Sequence, residues 1–298
     1  MQIGVVYPQT ELSPEPEAVR SYVRHVESLG FGHLLVYDHV LGADPEVHAP
    51  WLGPYDVDTT FHEPFVFFGF LAAVSHLELV TGIIILPQRQ TALVAKQAAE
   101  VDLLSGGRLR LGVGVGWNAV EYEALGQDFA TRGAREEEQI ALLRRLWTER
   151  SLTHEGRFDQ VRGAGLSPLP VQRPIPVWMG GNSAAAYRRI GRVADGWFPQ
   201  VAPGPALEEA VEIVAESAER HGRDPALLGM EGRVTREPGD PAPLLEAVAA
   251  WRHAGATHLS VNTMGQGYRG LDGHLAALSD AAEAIGLRAP GLNPQRPS

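Results

Sequence analysis

The stretch Leu77-Glu78-Leu79-Val80-Thr81-Gly82-Ile83-Ile84-Ile85-Leu86 contains one of the longest apolar runs of the chain. Its three consecutive isoleucines leave no alternation between a wet and a dry face, which is typical of a strand covered on both sides. Such strands occur in parallel sheets that carry helices on both faces. The run is far too short to cross a bilayer. The stretch therefore predicts an α/β protein built on a parallel sheet.

Outward from this stretch, short β-rich segments alternate with longer helical ones. The predicted strands are Ile3–Tyr7, His33–Tyr37, Leu77–Leu86, Leu109–Val115, Ile175–Met179, Gly196–Pro199, Leu228–Val234 and His258–Thr263. The predicted helices are Ser13–Leu29 (with Ser13 as N-cap), Pro64–Ser75, Thr91–Ser105, Arg132–Glu149, Ser183–Val193, Pro205–His221, Pro241–Ala254 and Gly270–Ile285. Eight such repeats predict a single (β/α)8 TIM barrel over residues 1–287, with an open doubly wound sheet as the alternative. Residues 288–298 contain three prolines and are expected to form a flexible tail.

Two segments exceed the minimal repeat. Leu41–Phe61 follows the second strand, and Ser151–Arg173 precedes the fifth; both are rich in Gly and Pro. Long insertions in a compact domain are usually lids or binding loops, so we expect this of both. The first lies on the side of the barrel where active sites form.

Composition narrows the function classes. The 298 residues carry 25 Lys and Arg against 36 Asp and Glu, a net charge of −11, which disfavours nucleic acid and anionic membranes as partners. The absence of Cys removes disulfides, thiolate metal sites and cysteine nucleophiles. No targeting segment is recognisable at Met1, so a cytoplasmic protein is expected. The 11 His residues are scattered without metal-ligand spacing, and no metal site is expected.

Three motifs follow predicted strands, where the active face of a barrel lies. Asp38-His39 places an imidazole that titrates near neutral pH after the second strand, although a loop histidine capped by its neighbour would look the same. Gly112-Val113-Gly114-Val115-Gly116-Trp117-Asn118 lacks the following acid of a dinucleotide fingerprint, and its glycines would instead admit a flat ring. Gly180-Gly181-Asn182-Ser183 opens a helix and suits either a phosphate or a tight turn. The triplet Glu136–Glu138 is interpreted as a solvated helix face.

Four segments resemble the bacterial luciferase-like superfamily, and within it the coenzyme F420-dependent oxidoreductases. They are YDHV at 37–40, TGIIILPQRQTALVAKQ at 81–97, LSGGRLRLGVGVGWNAVEYEALG at 104–126 and PVQRPIPVWMGGNSAAAYRRIGRVADGWFP at 170–199. The resemblance covers roughly residues 1–235. It implies a barrel with a flavin or deazaflavin ring over the carboxyl-terminal mouth.

The resemblance also implies roles for individual residues. His39 would give or take a proton at the substrate, and Asp38 would position that ring or bind the cofactor edge. A non-proline cis peptide at Gly82–Ile83 would lie behind the cofactor ring. The remaining expected cofactor contacts are Val115, Gly116, Asn118, Met179, Gly180, Gly181 and Asn182. The expected substrate pocket consists of Tyr7, Trp51, Tyr55, Phe61 and Trp117.

One departure from the family pattern bears on the substrate. Trp117 stands where the sugar-phosphate dehydrogenases of the family carry a Glu, which disfavours a sugar phosphate and favours a small apolar or aromatic substrate. The acidic tail of F420 would require a cationic groove in this negative chain, for which Arg89, Arg188 and Arg189 are candidates.

Alternatives stay open at this point. The same barrel would suit an FMN-dependent monooxygenase supplied with reduced flavin by a partner reductase. A non-catalytic flavin- or deazaflavin-binding protein is a third reading. A metal-dependent barrel hydrolase is disfavoured because its ligands are missing. The expected partners are a small-molecule substrate, with a homodimer and an F420 or flavin reductase as further options.

Overall fold

The computed structural model describes residues 1–288, so the expected tail lies outside the described residues from position 289 onward. Its strands are β1 (Gln2–Val6), β2 (His33–Val36), β3 (Glu78–Thr81), β4 (Ile84–Ile85), β5 (Leu109–Gly114), β6 (Leu152–Glu155), β7 (Gln160–Ala164), β8 (Val177–Gly181), β9 (Gly196–Pro199), β10 (Gly229–Thr235) and β11 (His258–Asn262). The helices are α1 (Pro16–Ser28), α2 (Pro64–Val74), α3 (Thr91–Ser105), α4 (Ala119–Ala124), α5 (Arg132–Thr148), α6 (Ala184–Val193), α7 (Pro205–Arg220), α8 (Ala242–His253) and α9 (Gly270–Ile285).

The parallel strands close into a barrel, which confirms the predicted fold class. Their order is β3-β2-β1-β11-β10-β9-β8-β5-β4, and β3 also pairs with β5, which joins the two ends. Because β3 and β4 follow one another along the same edge of β5, they form one interrupted strand of an eight-stranded barrel. The open doubly wound alternative is thereby excluded.

The interruption of the third barrel strand falls at Gly82 and Ile83, where the sequence predicts a continuous strand. The Thr81 hydroxyl fills the gap in the ladder: it donates to the Gly112 carbonyl and accepts from the Gly112 N–H, at 2.8 and 2.7 Å. A side chain at Gly82 would collide with Tyr37, whose Cδ1 atom would lie 2.7 Å from its Cβ. The chain therefore leaves the sheet at a position that only glycine fits.

The predicted helices are confirmed within one or two residues, except at the start of α1. That helix begins at Pro16 with Glu15 as N-cap, not at Ser13. The Ser13 hydroxyl instead accepts the Glu15 N–H within the preceding turn. The helix α2 begins with the Glu63 carboxylate accepting the Val66 N–H, as a helix opening at His62-Glu63-Pro64 predicts.

The second insertion folds differently from the expected lid. It contains the antiparallel hairpin β6–β7, and the Glu138 carboxylate of α5 accepts the N–H groups of Arg157, Phe158 and Asp159 at the hairpin turn. The hairpin thus packs along α5, and none of its residues lines the cavity described below. The first insertion does flank that cavity.

The barrel interior separates into an apolar layer and a charged layer. Val6, Leu35, Val80, Trp178 and Phe198 form the apolar layer as a cluster distinct from the larger core between helices and strands. No helix within residues 1–288 is long and apolar enough to cross a bilayer.

Near the amino ends of the strands, buried polar and charged side chains from four strands meet. We call His33, Arg110, Glu231 and Ser260 the barrel floor. The Glu231 carboxylate accepts from His33 at 3.0 Å and from the Ser260 hydroxyl at 2.5 Å, and it pairs with Arg110. Burial alone would raise the pKa of Glu231, but His33 and Arg110 hold it well below the usual range.

Candidate active site

A cavity of about 370 Å³ opens at the carboxyl ends of the barrel strands. This is the face on which barrel enzymes build their sites. The cavity brings together eleven of the predicted site residues: Asp38, His39, Tyr55, Gly82, Ile83, Val115, Gly116, Trp117, Gly180, Gly181 and Asn182. Leu35, Tyr37, Ile85, Phe198, Gln200 and Arg233 complete its lining.

His39 lies in an aromatic enclosure at the edge of this cavity. Its ring makes edge contacts with Phe61, Tyr55 and Trp117, at centroid distances of 4.7, 5.3 and 5.6 Å. Its Nδ1 atom lies 3.4 Å from the Glu121 carboxylate. Since a carboxylate only accepts, Nδ1 must carry the proton in the neutral ring. Within residues 1–288 Nε2 has no hydrogen-bond partner, so it is available to a molecule in the cavity.

Glu121, which sequence reasoning did not single out, organises this corner of the site. One carboxylate oxygen accepts the backbone N–H groups of Val40 and Leu41, and the other faces His39 and the Gln88 amide. Burial would raise the pKa of Glu121, yet these hydrogen bonds lower it below the usual range. The side chain is 1% exposed. Glu121 therefore remains an anion that fixes both the start of the first insertion and the His39 ring.

The hydrogen bonds of the Asp38 carboxylate are made with residues other than its neighbour His39. One oxygen accepts from the Arg89 guanidinium at 2.9 Å, and the other accepts the Ile85 N–H at 3.2 Å. Burial raises the pKa of Asp38, while the ion pair with Arg89 opposes this rise. Arg89 also pairs with Glu63 at the start of α2. Asp38 thus ties β4 and α2 to the end of β2, and it holds no contact with the His39 ring.

Ile83 forms the floor of the cavity because glycines stand opposite it. A Cβ at Gly114 or Gly180 would lie 2.6 or 3.0 Å from Ile83 side-chain atoms. Gly116 has a left-handed φ of 64°, and a Cβ there would meet Ile85 at 2.8 Å. The absent side chains thus let Ile83 and Ile85 pack directly against the strand backbone, and we call the part of the cavity that Gly82, Ile83, Gly116 and Gly180 line the slot. The cis peptide expected at Gly82–Ile83 is wrong: within the described chain, the cis bonds precede Pro50, Pro168 and Pro174.

The predicted phosphate turn lies at one end of this slot. Gly180 and Gly181 end β8, and the Ser183 hydroxyl caps α6 by accepting the Ala186 N–H at 3.3 Å. The exposed N–H groups of Ala184 and Ala185 have no acceptor within residues 1–288. They offer free donors at a helix N-terminus, where anions are favoured. A Cβ at Gly181 would lie 2.5 Å from the Ala186 Cβ, so this turn requires glycine.

Arg233 of β10 supplies a cation to the cavity wall, and sequence reasoning missed it. Its guanidinium donates to the Tyr37 hydroxyl at 3.0 Å and to the side-chain amide oxygen (Oε1) of Gln200 at 2.6 Å. Burial would lower the pKa of Arg233, but Tyr37 raises it, so the charge is retained. The alternation of strand residues indicates that Arg233 faces inward, but only the fold brings it beside Tyr37.

The other predicted site residues lie outside the cavity. Tyr7 is buried between Tyr22 and Phe67, with its hydroxyl unpartnered. Met179 is buried in the core, and Asn118 caps α4 by accepting the Val120 N–H. The remaining two, Phe61 and Trp51, contact the residues that line the cavity without lining it themselves.

Trp117 also lines a second, more open groove of about 630 Å³. We call it the outer groove; its lining is His48, Pro50, Trp51, Leu52, Gly53, Pro54, Trp117 and Val120. The Trp51 and Trp117 rings lie 5.7 Å apart, and the Trp51 indole N–H donates to the Tyr55 carbonyl at 2.9 Å. A Cβ at Gly53 would lie 2.5 Å from both indoles.

Two of the three arginines suggested for a cationic groove are neutralised. Arg89 pairs with Asp38 and Glu63, while Arg189 pairs with Glu136 at 3.2 Å. Glu136 is accordingly buried, which corrects its interpretation as a solvated position, and burial raises its pKa to about 7. Arg188 is exposed. Among the described residues, no group of three His, Asp or Glu side chains is arranged to hold a metal ion.

Known proteins share this sequence and this architecture. The chain is 37% identical over 164 residues to the uncharacterized protein Rv0940c of Mycobacterium tuberculosis, which covers 55% of this chain and 56% of that protein. It is 31% identical over 172 residues to the FMNH2-dependent dimethylsulfone monooxygenase of Pseudomonas putida, over 56% of this chain and 47% of that protein. The chain thus aligns with about half the length of these relatives.

A solved structure matches nearly the whole fold. The coenzyme F420-dependent tetrahydromethanopterin reductase of Methanopyrus kandleri has a TM-score of 0.76, with 14% identity, over 96% of this chain and 99% of that one. At this identity the likeness concerns the fold alone. The model of the luciferase-like monooxygenase family matches residues 1–258, and the chain therefore belongs to that family of oxidoreductases.

Proposed function

We propose that the protein is an F420-dependent oxidoreductase that acts on a small apolar or aromatic substrate. The observation that carries the proposal is one cavity that combines a glycine-lined slot, a histidine held by a buried carboxylate and an open helix N-terminus. The slot would hold a flat cofactor ring, the histidine would transfer a proton, and the helix N-terminus would bind a phosphate. They come from four different barrel strands, so their convergence is a property of the fold.

The residues present fit a flat tricyclic ring. The slot above Ile83 is bounded by Gly82, Gly116 and Gly180, where any side chain would meet neighbouring atoms within 3.0 Å. The N–H groups at the start of α6 suit the cofactor phosphate. When bound, the deazaflavin would supply hydride chemistry at its reactive carbon, and the protein would align and shield it.

His39 would hold or release the proton that accompanies hydride transfer. Its Nδ1–H donates toward Glu121, which leaves Nε2 as an acceptor for a substrate hydroxyl proton. The surrounding rings of Tyr55, Phe61 and Trp117 form an apolar enclosure around the imidazole, which favours an apolar substrate. Arg233 and Gln200 would donate to a carbonyl or anionic group at the opposite wall. Asp38 would act through Arg89 and Ile85, by fixing the strand end that carries the floor of the slot.

An FMN-dependent monooxygenase is the second candidate, and a specific observation favours it. The relative from Pseudomonas putida is FMNH2-dependent, and its match extends over 172 residues of this chain. FMN and F420 share a tricyclic ring and a phosphate, so the slot and the α6 N-terminus suit both. The neutralised state of Arg89 and Arg189 removes two cations that the acidic tail of F420 would have used. This candidate would require a partner reductase to supply the reduced flavin.

The face of α2 supports a homodimer. The helix PFVFFGFLAAV contains no charged residue, yet Val66 is 74% exposed and Ala73 is exposed. A helix that is apolar on all sides is normally buried. We expect light scattering of the purified protein to give the mass of a dimer, whereas a monomer mass would remove this part of the proposal.

Equilibrium binding of F420 and of FMN to the purified protein, measured side by side by fluorescence, tests the cofactor. Preference for F420 supports hydride transfer and calls for a substrate screen with reduced and oxidised cofactor. Preference for FMN, with oxygen consumption in the presence of reduced flavin, moves the assignment to the monooxygenase. Failure to bind either would refute the proposal.

A further inference from the structure

The cavity is small for what the proposed function places in it. Its volume of about 370 Å³ lies near the lower end of the range for a single drug-sized ligand. A tricyclic ring seated in the slot would occupy most of it. The substrate must therefore find part of its binding surface elsewhere. This step rests on the proposed function.

The outer groove lies directly beside the cavity and shares one wall with it. Trp117 belongs to both, with its ring 5.6 Å from His39 and 5.7 Å from Trp51. The hydrogen bond from Trp51 to Tyr55 joins the groove to a second residue of the cavity lining. The two compartments thus adjoin at the Trp117 indole.

The chemistry of the outer groove selects an uncharged apolar ligand. Its lining consists of two indoles, two prolines, Leu52, Val120, one histidine and one glycine, with no Asp, Glu, Lys or Arg. This neutrality is notable in a chain of net charge −11. Leu52, which belongs to this lining, is 90% exposed. Gly53 preserves the groove, since a side chain there would enter the space of both indoles.

We infer that the substrate is bipartite: its reacting end lies beside His39, and an apolar extension passes Trp117 into the outer groove. Trp117 is then the residue that determines specificity, because it sets the width of the passage between the two compartments. The outer groove is therefore assigned to the apolar extension of the substrate itself.

Straight-chain primary alcohols from 1-butanol to 1-decanol test this assignment. Trp51 and Trp117 are the reporters, because the other four tryptophans are at most 5% exposed and are shielded from a quencher such as acrylamide. Protection of the quenchable fluorescence gives the affinity of each alcohol. We expect affinity to rise roughly two- to fourfold per added methylene, since full removal of one methylene from water corresponds to about fourfold.

Two variants and a matched control make the test specific. Leu52→Asp places a carboxylate in the outer groove and is expected to flatten the chain-length dependence, as is Gly53→Ala, which crowds the indoles. Leu227→Asp is the control, since Leu227 is 80% exposed on a different part of the chain and lines neither compartment. It should reproduce the wild-type slope.

The alcohol series is measured with and without saturating cofactor. A failure of the proposed function can then be distinguished from a failure of the present inference. Absence of cofactor binding counts against the proposed function, while the slope decides the present inference in either case. Affinities independent of chain length, or a Leu52→Asp variant with the wild-type slope, would overturn it. In that event the exposed Leu52 would be better explained as a protein-contact surface.

Discussion

Replacement of Glu121 by Gln is expected to move the proton of His39 from Nδ1 to Nε2 while keeping the fold. The glutamine carbonyl oxygen retains the shape of the carboxylate and accepts the same N–H groups of Val40 and Leu41. Its NH2 group then faces Nδ1, so that Nδ1 must accept. Nε2 becomes a donor, and it can no longer take a proton from a substrate.

The magnitude follows from the bonds that change. The carboxylate loses the charge in its hydrogen bonds with the two N–H groups and with Gln88, each charged bond being worth about 1.5–3 kcal/mol, but most of these bonds survive as neutral ones. We expect the free energy of unfolding to fall by about 2 kcal/mol, or roughly 4 °C in Tm. Turnover in the direction in which His39 accepts a proton should fall by roughly 100-fold, the lower end of general-base contributions.

Nitrogen-15 NMR of histidine-labelled protein measures the tautomer directly, and steady-state kinetics measure turnover. Glu123→Gln is the matched control, because Glu123 lies on the same helix but is exposed. It should leave both the His39 spectrum and the rate unchanged. If Glu121→Gln left the His39 tautomer as in the wild type, the role assigned to the carboxylate would be refuted, whatever happened to the rate.

Three further outcomes are expected. His39→Ala should abolish turnover with cofactor affinity retained, and full activity would remove His39 from the mechanism. Gly181→Ala should weaken cofactor binding by at least roughly tenfold, because its Cβ would press on Ala186 at the start of α6, where overpacking costs about 1–3 kcal/mol; unchanged titrations would contradict the phosphate role. Glu231→Gln should cost about 3 kcal/mol at pH 7, the low end for breaking a buried ion pair, because Arg110 loses the Glu231 carboxylate but keeps its pair with Glu78. Because the pKa of Glu231 is depressed, that stabilisation is present above pH 4.5 and is lost as the pH falls, so urea unfolding should show the gap to wild type narrowing in acid.

The architecture could be predicted because its signals are local. Continuous apolar runs marked several of the barrel strands, and Pro or Gly marked most helix boundaries. The interruption of the strand at Gly82 was not predicted, because the apolar run continues from Ile83 to Ile85. Only the packing of Tyr37 against Gly82 shows why the chain leaves the sheet there. The hairpin β6–β7 was not predicted from the sequence, because its short strands are mostly exposed and show no apolar pattern.

The site was predictable where it depends on position at a strand end, and not where it depends on a partner far along the chain. His39 and Gly180 line the cavity because they follow strands. Glu121 contacts a residue 82 positions away, and Arg233 contacts Tyr37 across 196 positions, so no local pattern indicates either. Asn118 illustrates the opposite error: its place after the glycines suggested a ligand contact, whereas its amide caps a short helix.

The barrel floor has a consequence for assembly. Its members come from β2 and β5 in the first half of the chain and from β10 and β11 in the last third. A slip of one residue in β10 would turn Glu231 out of the barrel and leave Arg110 facing a glycine or a methionine. Arg110 also pairs with Glu78 of β3, but among the described residues the ion-pair partners of Glu231, His33 and Arg110, lie only in the first half of the chain. The ion pairs of the barrel floor therefore favour one strand register, because they form only when the first and last strands of the barrel are paired in the correct alignment.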